Sequence, residues 1–102
     1  MKYRKKPVVI EAIQFTSDQI LWQLQDLGCP ALFGNALEPE TLKTQDGRSD
    51  TGYYIDPATG NLVIRTLEGD MQAPNGWWII KGVKGEFYPC DPEVFDLSYE
   101  PN

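Results

Sequence analysis

The feature that most constrains this chain is a succession of turn signals between short β-branched and aromatic runs from residue 53 onward. Tyr53-Tyr54-Ile55 and Leu62-Val63-Ile64-Arg65-Thr66-Leu67 flank Asp56-Pro57-Ala58-Thr59-Gly60-Asn61, whose composition suits a hairpin loop. Glu68-Gly69-Asp70 turns the chain into Met71-Gln72-Ala73, and Pro74-Asn75-Gly76 turns it into Trp77-Trp78-Ile79-Ile80-Lys81. Gly82-Val83-Lys84-Gly85 closes a further hairpin with Glu86-Phe87-Tyr88. Such a run predicts strands joined by turns, in an antiparallel sheet or half-open barrel.

The first third reads differently. Residues 8–15, Val-Val-Ile-Glu-Ala-Ile-Gln-Phe, follow Pro7 and predict a strand covered on both faces for part of its length. Thr16-Ser17-Asp18-Gln19 has the capping-box pattern, and Ile20, Leu21, Leu24 and Leu27 recur at helical spacing until Gly28 and Pro30 stop the helix. Trp22 falls between stripe positions, at the rim of the core. Residues 30–52 lack periodicity and predict an irregular connection, with one helical turn near Pro39-Glu40-Thr41-Leu42. Asp91-Pro92-Glu93 predicts a single helical turn through Phe95, then a last strand around residues 97–100. The expected fold is α+β: one domain over residues 1–102, with an N-terminal amphipathic helix packed on an antiparallel β-sheet or half-open barrel, and a short C-terminal helical turn.

Composition narrows the chemistry. The chain has no histidine, which removes a His base, a Ser-His or Cys-His nucleophile pair and a His-ligated zinc. Cys29 and Cys90, the two cysteines, are too far apart in sequence to suggest a thiolate metal site, and the expectation is reduced thiols in a cytoplasmic protein. Fifteen acidic residues offer carboxylate pairs, yet none sits in a motif. The glycines at 82 and 85 lack the spacing and the strand-to-helix setting of a phosphate loop and read as turn residues. No catalytic residue, metal site or cofactor is therefore assigned. Beyond residue 6, five basic residues face fifteen acidic ones, a net charge of −10, which repels phosphate backbones and argues against a duplex nucleic acid as partner. Four of the nine basic residues lie in the first six positions and read as a solvated terminus. No apolar run approaches the ~20 residues of a membrane span, and residues 1–15 have no signal-peptide core.

Three segments carry a resemblance: Met1-Lys2-Tyr3-Arg4-Lys5-Lys6-Pro7-Val8-Val9-Ile10-Glu11-Ala12, Thr66-Leu67-Glu68-Gly69-Asp70-Met71-Gln72-Ala73, and Ile79-Ile80-Lys81-Gly82-Val83-Lys84-Gly85-Glu86-Phe87-Tyr88-Pro89-Cys90. Together they resemble a family of small phage and prophage proteins, related to those known by a Pro-Gly-Asp-Tyr-Gly motif. The likeness covers roughly half of the chain and leaves out residues 16–60. It implies a viral accessory protein working in the host cytoplasm and brings no activity, cofactor or site with it. Where such relatives tend to read Pro-Gly-Asp-aromatic before the Ile-Ile pair, this chain reads Asn75-Gly76-Trp77-Trp78, so Trp77 stands where an acidic residue is expected.

The tryptophan hairpin is the candidate ligand-binding element. With Lys81 opposite Glu86, Ile79 faces Tyr88 and Trp77 faces Cys90, so Trp77, Ile79, Lys81, Glu86 and Tyr88 share one face and Trp78, Ile80 and Phe87 the other. The second set is apolar and should be core. The first mixes aromatic and charged groups, giving Trp77, Lys81, Glu86 and Tyr88 as candidate binding residues. The competing account makes Lys81–Glu86 a cross-strand ion pair and tucks Trp77 under residues 30–52. On this reading the chain is a non-enzymatic binding module for a host protein or a small-molecule ligand, and a homo-oligomer. A virion structural or assembly protein is the alternative, and a carboxylate-based hydrolase a third.

Overall fold

A computed structural model describes residues 1–2, 9–16 and 21–101. The strand start at Val8, Arg4-Lys5-Lys6, all of the capping box after Thr16, and Ile20 of the helical stripe lie outside the described residues. The elements are β1 (Glu11–Gln14), α1 (Leu21–Leu27), a 3-10 turn (Pro39–Thr41), β2 (Gly52–Ile55), β3 (Leu62–Thr66), β4 (Gly69–Ala73), β5 (Trp78–Lys81), β6 (Phe87–Cys90) and α2 (Pro92–Ser98). The class is α+β, but the strands form two antiparallel three-stranded sheets, ordered β1-β5-β6 and β2-β3-β4, in place of one sheet or half-barrel.

Local chemistry places the elements. Gly28, at φ +104°, lets its own amide reach the Gln25 carbonyl at 3.0 Å and the Cys29 amide reach the Leu24 carbonyl at 2.8 Å. That paired closure needs a left-handed residue and stops α1 where the sequence predicts. In the β5–β6 hairpin, Gly82 N donates to Glu86 O at 2.8 Å and Gly85 N to Gly82 O at 3.0 Å, with Gly85 at φ +82°. The loop is therefore three residues closed by a left-handed glycine, not four. Every pair shifts by one: Trp78 faces Cys90, Ile79 Pro89, Ile80 Tyr88 and Lys81 Phe87. The register expected from the sequence is corrected accordingly, and a one-residue shift regroups the side chains on both faces.

The shift decides what each face of the first sheet covers. Ile79 and Phe87 join Phe15, Leu24, Leu27 and Cys29 with Tyr53, Leu62, Ile64 and Ala73 of the second sheet in one buried cluster. Trp78, Ile80, Tyr88 and Cys90 lie on the opposite face, under α2. Asp91 caps that helix by accepting from Glu93 N at 2.8 Å and Val94 N at 3.4 Å. Phe95 then stacks on Trp78 with centroids 4.1 Å apart and planes within 3°. Tyr99, one turn on from Phe95, meets it at 5.1 Å. The helix runs to Ser98, so the strand expected around residues 97–100 does not form. Ile80 is fully buried although it is not part of the main cluster.

The second sheet is also covered on both sides. Segment 30–32 runs beside β2, with Leu32 N donating to Tyr53 O at 2.8 Å and Tyr53 N to Pro30 O at 3.0 Å. A Cβ on Gly52 would lie 2.6 Å from Leu32 Cγ, so the close approach of that segment requires glycine there. Arg65 anchors the rest of the connection. Its guanidinium donates to the carbonyls of Pro39 (2.6 Å), Leu42 (3.3 Å) and Ser49 (3.2 Å) and holds Asp70 through two bonds of 2.8 and 3.1 Å. The 30–52 connection is thus irregular, as predicted, but fastened to the sheet by one side chain.

Candidate binding groove

The β3–β4 and β5–β6 hairpins end side by side. At the first tip, Thr66 Oγ1 donates to Gly69 O at 2.7 Å and accepts from Glu68 N at 3.1 Å, which holds a tight two-residue turn and leaves Leu67 82% exposed. At the second, the Glu86 carboxylate folds back over Gly82 and accepts from Lys84 N at 3.0 Å. Between β6 and the β3–β4 hairpin lies a groove of about 340 Å³ lined by Leu67, Glu68, Met71, Glu86, Tyr88 and Pro89, among others. A smaller cleft of about 210 Å³ shares Leu67, Glu86 and Phe87 with it and adds Arg48, Asp50 and Lys84. The groove is apolar in the middle and charged at the end near the tips.

Tyr88 forms one wall, and its hydroxyl is 3.4 Å from that of Tyr99. Burial, then the Tyr99 hydroxyl, pushes the Tyr88 phenol well above its usual range, so it stays neutral at any physiological pH. Behind the groove, hydrogen bonding by Arg65 holds the Asp70 carboxyl below the usual carboxylate range against the opposing effect of burial. Tyr54 donates to the same carboxylate at 2.8 Å, and burial with that bond pushes its phenol up to about 12. This set keeps β3 and β4 in place but presents no free group.

Two of the four residues singled out in the sequence, Glu86 and Tyr88, line the groove. Trp77 and Lys81 do not join them. Trp77 is half-buried against the main core, its amide donating to Pro74 O at 3.0 Å and its carbonyl accepting from Phe15 N at 2.7 Å. Lys81 pairs with Glu11 and Phe87 across the strands, and its Nζ lies beside Gly28. The supposed Lys81–Glu86 ion pair is absent; the ion pairs among the described residues are Arg48–Asp50 and Arg65–Asp70. The residues missed in the sequence are Leu67 and Met71. For Leu67 the one visible signal was a large apolar residue beside the Glu68-Gly69 turn; Met71 had none. Trp22, placed at the core rim by its spacing, is 58% exposed.

A larger cleft, about 470 Å³, lies elsewhere, between the end of α1 and residues 30–46. Three of its polar side chains are engaged: Gln25 donates to Tyr53 Oη at 2.9 Å, and Thr44 donates to Asp46. Among the described residues no group of three or more His, Cys, Asp or Glu could hold a metal ion, and no helix is long and apolar enough to cross a membrane. Both cysteines are free thiols, Cys29 buried and Cys90 half-buried. What fold and groove define together is an α+β domain of two packed sheets with an apolar cleft between hairpin tips. Compared with family models, with curated proteins and with solved structures, the chain matches none.

Proposed function

We propose that this protein is a non-enzymatic binding module that holds its partner in the groove between the β3–β4 hairpin and β6. The observation that carries this reading is the exposure of two large apolar side chains, Leu67 at 82% and Met71 at 43%, beside the Tyr88 wall. A lone surface leucine needs no explanation, but two apolar groups converging on a concave site with few polar groups fit ligand recognition. The volume of about 340 Å³ falls at the lower end of the ~300–1,000 Å³ typical of ligand sites. It suits a small apolar ligand or one or two side chains of a host protein. Of the two carboxylates that line the groove, Glu68 and Glu86, the latter is engaged as a turn cap. The resemblance to small phage and prophage proteins favours a viral accessory role in the host cytoplasm.

Methyl NMR tests the reading. Host-lysate fractions and metabolite mixtures are titrated into protein labelled at Leu and Met, and the shifts are mapped. Perturbation at Leu67 and Met71, with the equally exposed Leu37 and Leu97 unmoved and the effect abolished by Leu67→Asp, is the expected result. Shifts centred on Leu37 or Leu97, or none from any fraction, would sink it.

A further inference from the structure

Each sheet has two edges, and they are not equally protected. The outer edge of β2 is occupied by residues 30–32 through the bonds to Tyr53. β6 contains Pro89, which has no N–H to offer, and lies against β3 and β4. β1 is four residues long and opens on the exposed charge of Glu11. β4 is the least protected of the edges. It is five residues long, four of them exposed, with no lysine or proline; β6 lies against it on the groove side, but among the described residues its backbone pairs with β3 alone. Its single charge, Asp70, is neutralised by the two bonds from Arg65. Such an edge presents a row of donors and acceptors ready to take another strand.

We infer that β4 pairs with β4 of a second copy of this chain, antiparallel about a two-fold axis at Met71, joining the two β2-β3-β4 sheets into one of six strands. Three observations select a second copy as the occupant. An antiparallel edge is complementary to itself under a two-fold. Only a pairing centred on Met71 overlaps all five residues, and it sets Asp70 opposite Gln72 of the second copy, whereas centring on Asp70 would oppose like charges. Met71 also faces Met71 of the second copy on the same side of the sheet, covering apolar surface now 43% exposed and walling the open side of the groove. The pairing stands on the edge itself and does not depend on what the groove holds.

A five-residue edge supports an interface at the small end of the range, so association is expected at roughly micromolar concentrations. The net charge of −6 per chain opposes it, and added salt should strengthen it. Sedimentation and hydrogen exchange are followed from about 5 µM to about 1 mM, a span chosen to bracket that affinity. A monomer–dimer equilibrium is expected, with exchange at Asp70 and Gln72 slowing as the dimer forms and β1 unaffected. Met71→Lys should weaken association by roughly 30-fold or more, the loss of a central contact, whereas Met71→Leu should retain it. The wild-type exchange measurement needs no substitution, so an unstable variant does not blunt the test. A monomer across the whole range, or a dimer that protects β1 and leaves β4 exchanging freely, overturns the inference, as does β4 protection gained only with an added foreign peptide.

Discussion

Arg65 is the most connected side chain of the described structure, tying three backbone carbonyls of the 30–52 connection to the Asp70 carboxylate. Its removal would strand a partly buried carboxylate and free the connection at once. Hydrogen bonds to charged groups contribute about 1.5–3 kcal/mol, so Arg65→Ala should cost at least about 2 kcal/mol in urea unfolding. The pH dependence follows from the same contact. The folded pKa of Asp70 is depressed, so its contribution is complete above the unfolded value of about 3.9 and is lost as pH falls through the folded value. Asp70→Asn should therefore flatten the acid limb of the stability profile. Tyr54 works at the other extreme: its phenol is raised to about 12, so the neutral form stabilises the fold below the unfolded value of about 10, and that contribution is lost as pH climbs toward 12. Ultraviolet titration of Tyr54→Phe against wild type should show one late-titrating tyrosine fewer, with Tyr88 remaining. Cys29 follows the same rule, because burial pushes its thiol up to about 12. Thiol reagents should label Cys90 in the folded protein and reach Cys29 only on unfolding.

At the scale of elements, α2 is the instructive case. It is seven residues long and has no buried residue, yet it lays Phe95 flat on Trp78, which shares a sheet face with the fully buried Ile80. Phe95→Ala should cost about 1–3 kcal/mol, less than for a fully buried phenylalanine, and should red-shift tryptophan emission as Trp78 becomes wet. A fluorescence maximum unchanged from wild type would show that the stack does not shield the indole. The Asp-Pro-Glu start of this helix was legible because capping is local chemistry, whereas its length was not, since the Trp78 that holds its second turn lies thirteen residues from Asp91. The β5–β6 hairpin teaches the same limit. Its glycines announced a turn, but not whether the loop holds three residues or four, and that choice separated Phe87 from Trp78 and Ile80 and set it beside Ile79 in the main core. The candidate face built on the other register therefore dissolved, leaving Glu86 and Tyr88 in the groove and sending Trp77 and Lys81 elsewhere. Leu67 and Met71 were illegible because their role depends on β6 lying against β3 and β4, a contact between distant hairpins.

For the whole molecule, the question is whether two sheets make one folding unit or two. Strand order keeps them separate, with no ladder joining β1-β5-β6 to β2-β3-β4. The core does not: Ile79 and Phe87 from the first sheet share a cluster with Tyr53, Leu62, Ile64 and Ala73 from the second, and α1 contributes Leu24 and Leu27 to it. Neither sheet could bury its apolar face alone, because each is the other's cover. Domains of this size with a shared core unfold in a single transition. The three tryptophans offer a sharp test, since Trp22 lies in α1, Trp77 immediately precedes β5 and packs on the shared core, and Trp78 lies within β5, so none belongs to a strand of the second sheet. Ile64 is fully buried in β3, and Ile64→Ala should cost about 2–4 kcal/mol. If the sheets are one unit, that substitution lowers the urea midpoint seen by tryptophan fluorescence as far as the midpoint seen by amide exchange in β3. A fluorescence transition left where it was, with β3 exchange alone accelerated, would mean that the second sheet melts independently. The burial of Ile64 and Ile79 in one cluster predicts coincidence.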